Sequence, residues 1–230
     1  MYTYKKSNST CVSARDVAVI LDDCPFQKRD ELLLEKCDYR KKKPFTESMK
    51  RGIELEPEAI SQLCKFLKIN ESEVQKPGFR RHKHFPVGGV PDGIYQNILI
   101  EIKCPNRFTI GVKPPSFYIS QMQVYMQIFD IKEGIYVEYI QGQGLNILHI
   151  ERSDIWWEWV TPLIQSFWNE VLFWRKNNIE RYMEVKQIAF NKVNMCETHR
   201  EENTMTELCK YIKKDLLLES ITDYDNVSAM

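Results

Sequence analysis

Residues 88–105 read GGVPDGIYQNILIEIKCP, and the reading of this stretch decides the fold. A two-residue turn at Gln96 and Asn97 predicts an antiparallel hairpin in which Tyr95 faces Ile98, Ile94 faces Leu99, Gly93 faces Ile100 and Asp92 faces Glu101. Directly opposed residues hold their Cβ atoms about 5 Å apart, where two carboxylates repel unless a positive charge lies between them. Alternation along the second strand sends Glu101 and Lys103 to one face, and Ile98, Ile100 and Ile102 to the other, which reads as core. One face then carries Asp92, Glu101 and Lys103 together. Their hard oxygen atoms suit Mg2+ or Mn2+, and the lysine is placed to orient or deprotonate an attacking water, or to stabilise charge developing on a phosphate. Taken singly, Asp92 is also ordinary turn chemistry between Pro91 and Gly93, and Glu101 with Lys103 an ordinary surface pair.

Upstream, residues 49–67 (MKRGIELEPEAISQLCKFL) place Ile53, Ile60, Leu63, Cys64 and Leu67 at helical spacing, which predicts a buried stripe. Glu56 lies beside that stripe, either as one of several acids favoured by the helix dipole or as a carboxylate delivered to a sheet-borne metal site. Earlier still, Ser13–Leu21 (SARDVAVIL) reads as a short helix with a capping serine, and a second helix is expected from about Arg29 to Cys37. The run Arg40, Lys41, Lys42, Lys43 reads as a solvated loop or a phosphate contact. Phe79–Phe85 (FRRHKHF) reads as a strand with Arg81 and Lys83 on one face and Arg80, His82 and His84 on the other. One such face tracks DNA, or the charges protect a sheet edge. Two histidines without a third ligand are a weak zinc signal.

Downstream, a helix carries Tyr118, Gln121, Gln123 and Tyr125, followed by strands Gly134–Ile140 and Leu145–Ile150 joined at QGQG. A long aromatic helix from Asp154 to about Lys176 follows. Its Leu163, Ile164, Phe167, Val171 and Trp174 continue one stripe, so its tryptophans are expected to pack on the sheet rather than stack on bases. Residues 177–230 mix charge with Leu, Ile and Met, as expected of a helical extension with a frayed end.

The order Pro91-Asp92, then Glu101-Ile102-Lys103, resembles the PD-(D/E)xK nuclease motif. With SARDVAVIL, CPFQKRDELLLEK, the Gly52, Glu56, Ala59 pattern, GGVPDG, IEIKCP and FYISQMQVYMQIF in sequence from about Ser13 to Phe129, the chain resembles the YqaJ and lambda-exonuclease family of viral recombination nucleases. The resemblance implies an α/β fold of the restriction-endonuclease-like class. It would have a mixed central sheet flanked by helices, a nuclease domain over 1–176 and a C-terminal helical extension over 177–230. It implies Mg2+-dependent (or Mn2+-dependent) degradation of one strand of linear double-stranded DNA from its 5′ end. Asp92, Glu101, the Ile102 backbone carbonyl and Glu56 would be metal ligands, Lys103 would serve the attacking water, and Gln121 would complete the catalytic set. Gln121 otherwise reads as a plain polar position on an amphipathic helix. Ser13, Arg15, Arg81, Lys83 and Tyr125 would contact DNA. Arg15 stands where the family has a serine, and Val90 stands where it tends to have another, so both departures touch phosphate recognition. A single-strand annealing protein is the expected partner, and a ring-shaped homotrimer the assembly that the family implies. An internally cutting endonuclease and a non-catalytic DNA-binding protein are the rival classes.

Composition sets the outer limits. With 43% hydrophobic and 28% charged residues the chain reads as globular, and 32 basic residues balance 32 acidic ones, so any DNA contact must come from local patches. No apolar run reaches the roughly 18 residues that cross a bilayer, and no apolar leader is visible, so an intracellular protein is expected, in host cytoplasm or nucleus if viral. The seven cysteines are scattered, never as C-x-x-C, and read as thiols rather than as ligands of an iron–sulfur cluster. No glycine-rich nucleotide loop is present.

Overall fold

In the computed structural model the hairpin forms in the register its turn dictates, with β4 (Gly93–Tyr95) antiparallel to β5 (Ile98–Lys103) and Gly93, Ile94 and Tyr95 opposite Ile100, Leu99 and Ile98. Gln96 and Asn97 both adopt positive φ, 45° and 68°, as the twist of a two-residue hairpin requires. The structure describes residues 10–39, 46–106 and 113–187. The run Arg40–Lys43 therefore lies outside the described residues, as do Cys196 and Cys209.

Strand β5 pairs in parallel with β6 (Glu133–Ile140), which pairs antiparallel with β7 (Gly144–Glu151), giving a mixed sheet in the order β4-β5-β6-β7. This is the expected mixed central sheet, and the described residues hold a further small sheet as well. A second, three-stranded sheet joins β1 (Val12–Ser13), β3 (Val87–Gly89) and β2 (Arg80–Arg81) in the order β1-β3-β2. The strand expected over Phe79–Phe85 is only two residues long, because the chain bends after Arg81 and returns antiparallel as β3.

The two faces of β5 meet different helices. Ile100 and Ile102 pack with Val137 and Tyr139 against Ala59, Ile60, Leu63 and Cys64 of α3 (Glu47–Leu67), a helix capped by the Thr46 hydroxyl. Truncating the fully buried Leu63 to alanine would cost about 2–5 kcal/mol. The α3 stripe is narrower than its sequence pattern, since Ile53 is 62% and Leu67 37% exposed beyond the ends of the sheet contact. Leu99 faces the other way, where Met122 of α4 (Ser116–Phe129) covers it. Residues Ser120 to Met126 of α4 are all buried, so this helix is enclosed rather than amphipathic.

The N-terminal helix is shorter than expected: α1 spans Asp16–Ile20, and Ser13 ends β1. Ser13 still caps in effect, donating its amide to Asp16 Oδ2 (2.8 Å) and accepting from the Asp16 amide (3.3 Å). Helices α2 (Arg29–Lys36) and α5 (Asp154–Lys176) complete this side. In α5, Trp157, Ile164, Phe167, Trp168, Val171 and Trp174 are buried, whereas Leu163 is 40% exposed and leaves the expected stripe. Cys11 and Cys64 are buried, and Cys24, Cys37 and Cys104 are half-buried. No helix among the described residues is long and apolar enough to cross a membrane. The chain divides into two units after Asn177, and the second is helical over 179–187.

Candidate active site

The alternation of β5 places Glu101 under α4, where only 1% of the residue is exposed. A carboxylate buried this deeply demands partners. One oxygen, Oε1, accepts from Lys103 Nζ and from Gln121 Nε2 (2.8 Å), while Oε2 has no donor among the described residues. Gln121 is 7% exposed and also donates to the Tyr125 hydroxyl (3.2 Å), and its own Oε1 is buried without a donor among the described residues. Two touching residues thus each keep one oxygen unmet. Lys103 lies 4.8 Å above the ring of Tyr118, which together with Glu101 fixes its ammonium.

Asp92 arrives from the other strand. Its Oδ2 accepts from the Ile102 amide (2.6 Å), which anchors it at the β5 edge just where the β4 ladder stops. Since a strand residue projects its N–H and C=O to the same side, the Ile102 carbonyl also points toward Asp92 and away from the β6 ladder. Burial, and then the neighbouring charge of Glu101, push the Asp92 carboxyl up to about 8, a rise that Lys103 only partly opposes. Burial likewise raises Glu101 against the pull of Lys103. Burial alone would depress Lys103, but Glu101 and Asp92 outweigh it and hold the ammonium above its ordinary value, so it stays charged.

Two further groups reach the cluster from separate helices. Glu56 on α3 acts on both Asp92 and Glu101, and its Oε1 accepts from Lys76 Nζ (3.1 Å). Arg15, exposed at the start of α1, lies near enough to Glu101 to oppose the rise of its carboxyl. Glu101, Lys103 and Gln121 are thus in direct contact, Asp92 is bonded to the amide of Ile102 between Glu101 and Lys103, and Glu56 and Arg15 act on this cluster through their charges. Tyr125, expected on the DNA surface, is instead only 6% exposed. A Cβ on Gly89 would lie 2.5 Å from its ring, so β3 must carry glycine there for the tyrosine to pack and hold Gln121. Ser13 is half-buried and tied to Asp16, while Arg81 and Lys83 lie exposed on the β2–β3 side. Sequence reasoning missed Lys76, whose partner stands 20 residues away and leaves no periodic signal.

The donor set suits a hard divalent cation. The unmet Glu101 Oε2, the raised Asp92 carboxyl and the outward Ile102 carbonyl all call for a positive charge at one place. Among the described residues no group of three or more His, Cys, Asp or Glu side chains is placed to hold a metal ion, so Glu56 does not join Asp92 and Glu101 as a third carboxylate in one ligand group. His82 and His84 form no such site either, because His82 Nδ1 is occupied by the backbone amides of His84 and Phe85.

The fold is shared with solved nucleases. The alkaline exonuclease LHK-Exo from Laribacter hongkongensis, in a crystal structure with dAMP, superposes with a TM-score of 0.67 at 24% identity, covering 78% of this chain and 96% of that one. A phage-related exonuclease from Haemophilus somnus gives 0.55 at 15% identity, covering 70% and 95%. No curated protein matches. The model of the YqaJ-like viral recombinase domain matches residues 3–132, more than half of the sequence and every residue of the cluster, and the chain belongs to that family.

Proposed function

We propose that this protein is a metal-dependent deoxyribonuclease that degrades one strand of linear double-stranded DNA from its 5′ end. The observation that carries the reading is the pair of buried acceptors, Glu101 Oε2 and Gln121 Oε1, left unmet beside Asp92 and the charged Lys103. Such a site stabilises incoming positive charge and proton donors far better than it stabilises itself. Family membership and a shared fold with an exonuclease crystallised with dAMP, a deoxynucleoside monophosphate, support the substrate class.

Asp92, Glu101 and the Ile102 carbonyl would hold Mg2+ or Mn2+, with Glu56 acting on them through its charge. When bound, the cation supplies Lewis-acid polarisation of the phosphate. Gln121 orients Glu101, and Tyr125 orients Gln121. Lys103, held by Glu101 and Tyr118, directs the attacking water and offsets charge growing on the phosphate oxygens. The water oxygen bonds to phosphorus as a P–O bond to the sugar breaks, and a proton passes to the leaving oxygen. No covalent enzyme intermediate is required. Arg15, whose charge acts on Glu101, would receive the terminal 5′ phosphate. The remaining 3′ strand would pass to an annealing partner, and a ring-shaped homotrimer would hold the duplex.

End-labelled linear and closed circular duplexes, incubated with purified protein with and without Mg2+, test the reading. Metal-dependent loss of the 5′ label from the linear duplex, with the circle intact, is expected. Cleavage of the circle would move the protein to the endonucleases, and no cleavage of either would leave a DNA-binding protein.

A further inference from the structure

The bend between β2 and β3 is organised by one side chain. His82 Nδ1 accepts two backbone amides, from His84 and Phe85 (both 3.2 Å), in the manner of an Asx turn. Its ring packs 5.1 Å from Trp157 and 5.2 Å from Phe85, and Phe85 meets Trp157 edge-on at 5.6 Å. Burial, then the nearby His84 and Lys83, hold the His82 pKa below its usual value, so the ring stays neutral and its Nδ1 stays an acceptor. The aromatic faces are spent on one another, and the bend displays cations instead. Arg81, Lys83 and His84 border an open cleft of about 530 Å³ whose lining has no acidic residue, and Lys83 has no ion pair among the described residues. Arg81 is steadied by donating to the Thr10 carbonyl (3.1 Å).

The bend is tied to the candidate active site through β3. The chain returns from His84 through β3 to Asp92 in eight residue steps, so the two lie within roughly 27 Å of each other. In a chain of zero net charge, a preformed cationic bend at that distance complements a phosphodiester backbone and loses little entropy on binding it.

We propose that the β2–β3 bend, held by His82 and presenting Lys83 and His84, is a backbone clamp for duplex DNA beside the scissile phosphate. The proposal rests on the nuclease reading for its position, while its test is binding alone. Fluorescence anisotropy of labelled duplex and single-stranded oligonucleotides of about 30 nucleotides, without divalent metal and across a salt series, provides the readout. The variant carrying both Lys83→Ala and His84→Ala should bind duplex about tenfold more weakly near 0.1 M salt, with the slope of log K against log salt reduced by about 1. His82→Ala, which keeps Lys83 and His84 but frees the bend, should weaken duplex binding about threefold. Unchanged affinity and slope in the double variant, no duplex binding by the parent, or a larger loss on single strand than on duplex would overturn the clamp. Parent protein that binds duplex with the clamp signature but cuts nothing with Mg2+ would sustain the clamp and fail the nuclease reading.

Discussion

Two buried carboxylate–lysine pairs in this molecule have opposite characters. Asp16 and Lys36 join α1 to α2 at 2.7 Å with side chains 12% and 5% exposed, and the Ser13 amide donates to the same aspartate oxygen. Burial alone would raise Asp16, but Lys36 and Ser13 outweigh it and hold its carboxyl below the usual range. In the second pair Glu101 is 1% and Lys103 20% exposed, and here burial outweighs the pull of Lys103 so that Glu101 rises, with Glu56 adding to the rise. A buried charge whose demand is met holds elements together. One whose demand is unmet is poised for chemistry.

Substitutions should separate the two sharply. Asp92→Ala and Glu101→Ala are each expected to lower Mg2+-dependent cleavage by on the order of a thousandfold or more, and Glu101→Ala, which leaves Lys103 without its carboxylate, should also lower the metal-free melting temperature. Added Mg2+ should raise the melting temperature of the parent and much less that of either variant. Cleavage assays beside thermal melts decide it, and full activity in both variants would sink the assignment.

Lys103→Ala should lose about 10²–10⁴-fold in cleavage rate while still binding duplex DNA, because its charge acts on the reacting groups. An equal loss of DNA affinity would make it a phosphate contact instead. At the closed pair, Lys36→Ala strands a buried carboxylate and should cost about 3–5 kcal/mol by denaturant unfolding, with cleavage per folded molecule retained.

The pH dependence of stability should carry opposite signs at the two sites. Asp92, raised to about 8, keeps in the metal-free fold a proton that the unfolded chain has already lost. Stability therefore falls as pH rises from about 4 toward 8, and Asp92→Asn should flatten that fall. Asp16 is lowered, so its contribution is present above the unfolded pKa and is lost as pH falls through the folded one. Asp16→Asn should flatten the acid limb alone. Melting temperatures across pH in a metal-free buffer show whether the two variants divide the profile this way.

The smallest effect concerns Arg15. If its guanidinium receives the 5′ phosphate, phosphorylated linear duplex should be degraded severalfold faster than hydroxyl-ended duplex, and Arg15→Ala should erase that preference with little change on the hydroxyl-ended substrate. Equal preference in parent and variant would return Arg15 to the solvated surface.

Much of this was legible in the chain. The Gln96-Asn97 turn and strict alternation along 98–103 determine the hairpin register and the opposite faces of Glu101 and Ile102, because both are local consequences of backbone geometry. Helix α5 keeps its expected span from Asp154 to Lys176 for the same reason, its apolar period and Ser153 cap lying within a single segment, although Leu163 leaves the stripe. Tertiary structure alone decided what met each face. Neither the period nor the composition of α3 shows that Ile53 overhangs the sheet, nor does FRRHKHF announce that His82 turns the chain after Arg81. The burial of Tyr125 depends on Gly89 in a strand some 35 residues earlier, and Asp16 meets Lys36 across two helices. Local pattern determines which side of an element a residue takes. Whether that side meets a helix, a charge or solvent is set by long-range packing, which pairs residues by shape and desolvation rather than by spacing.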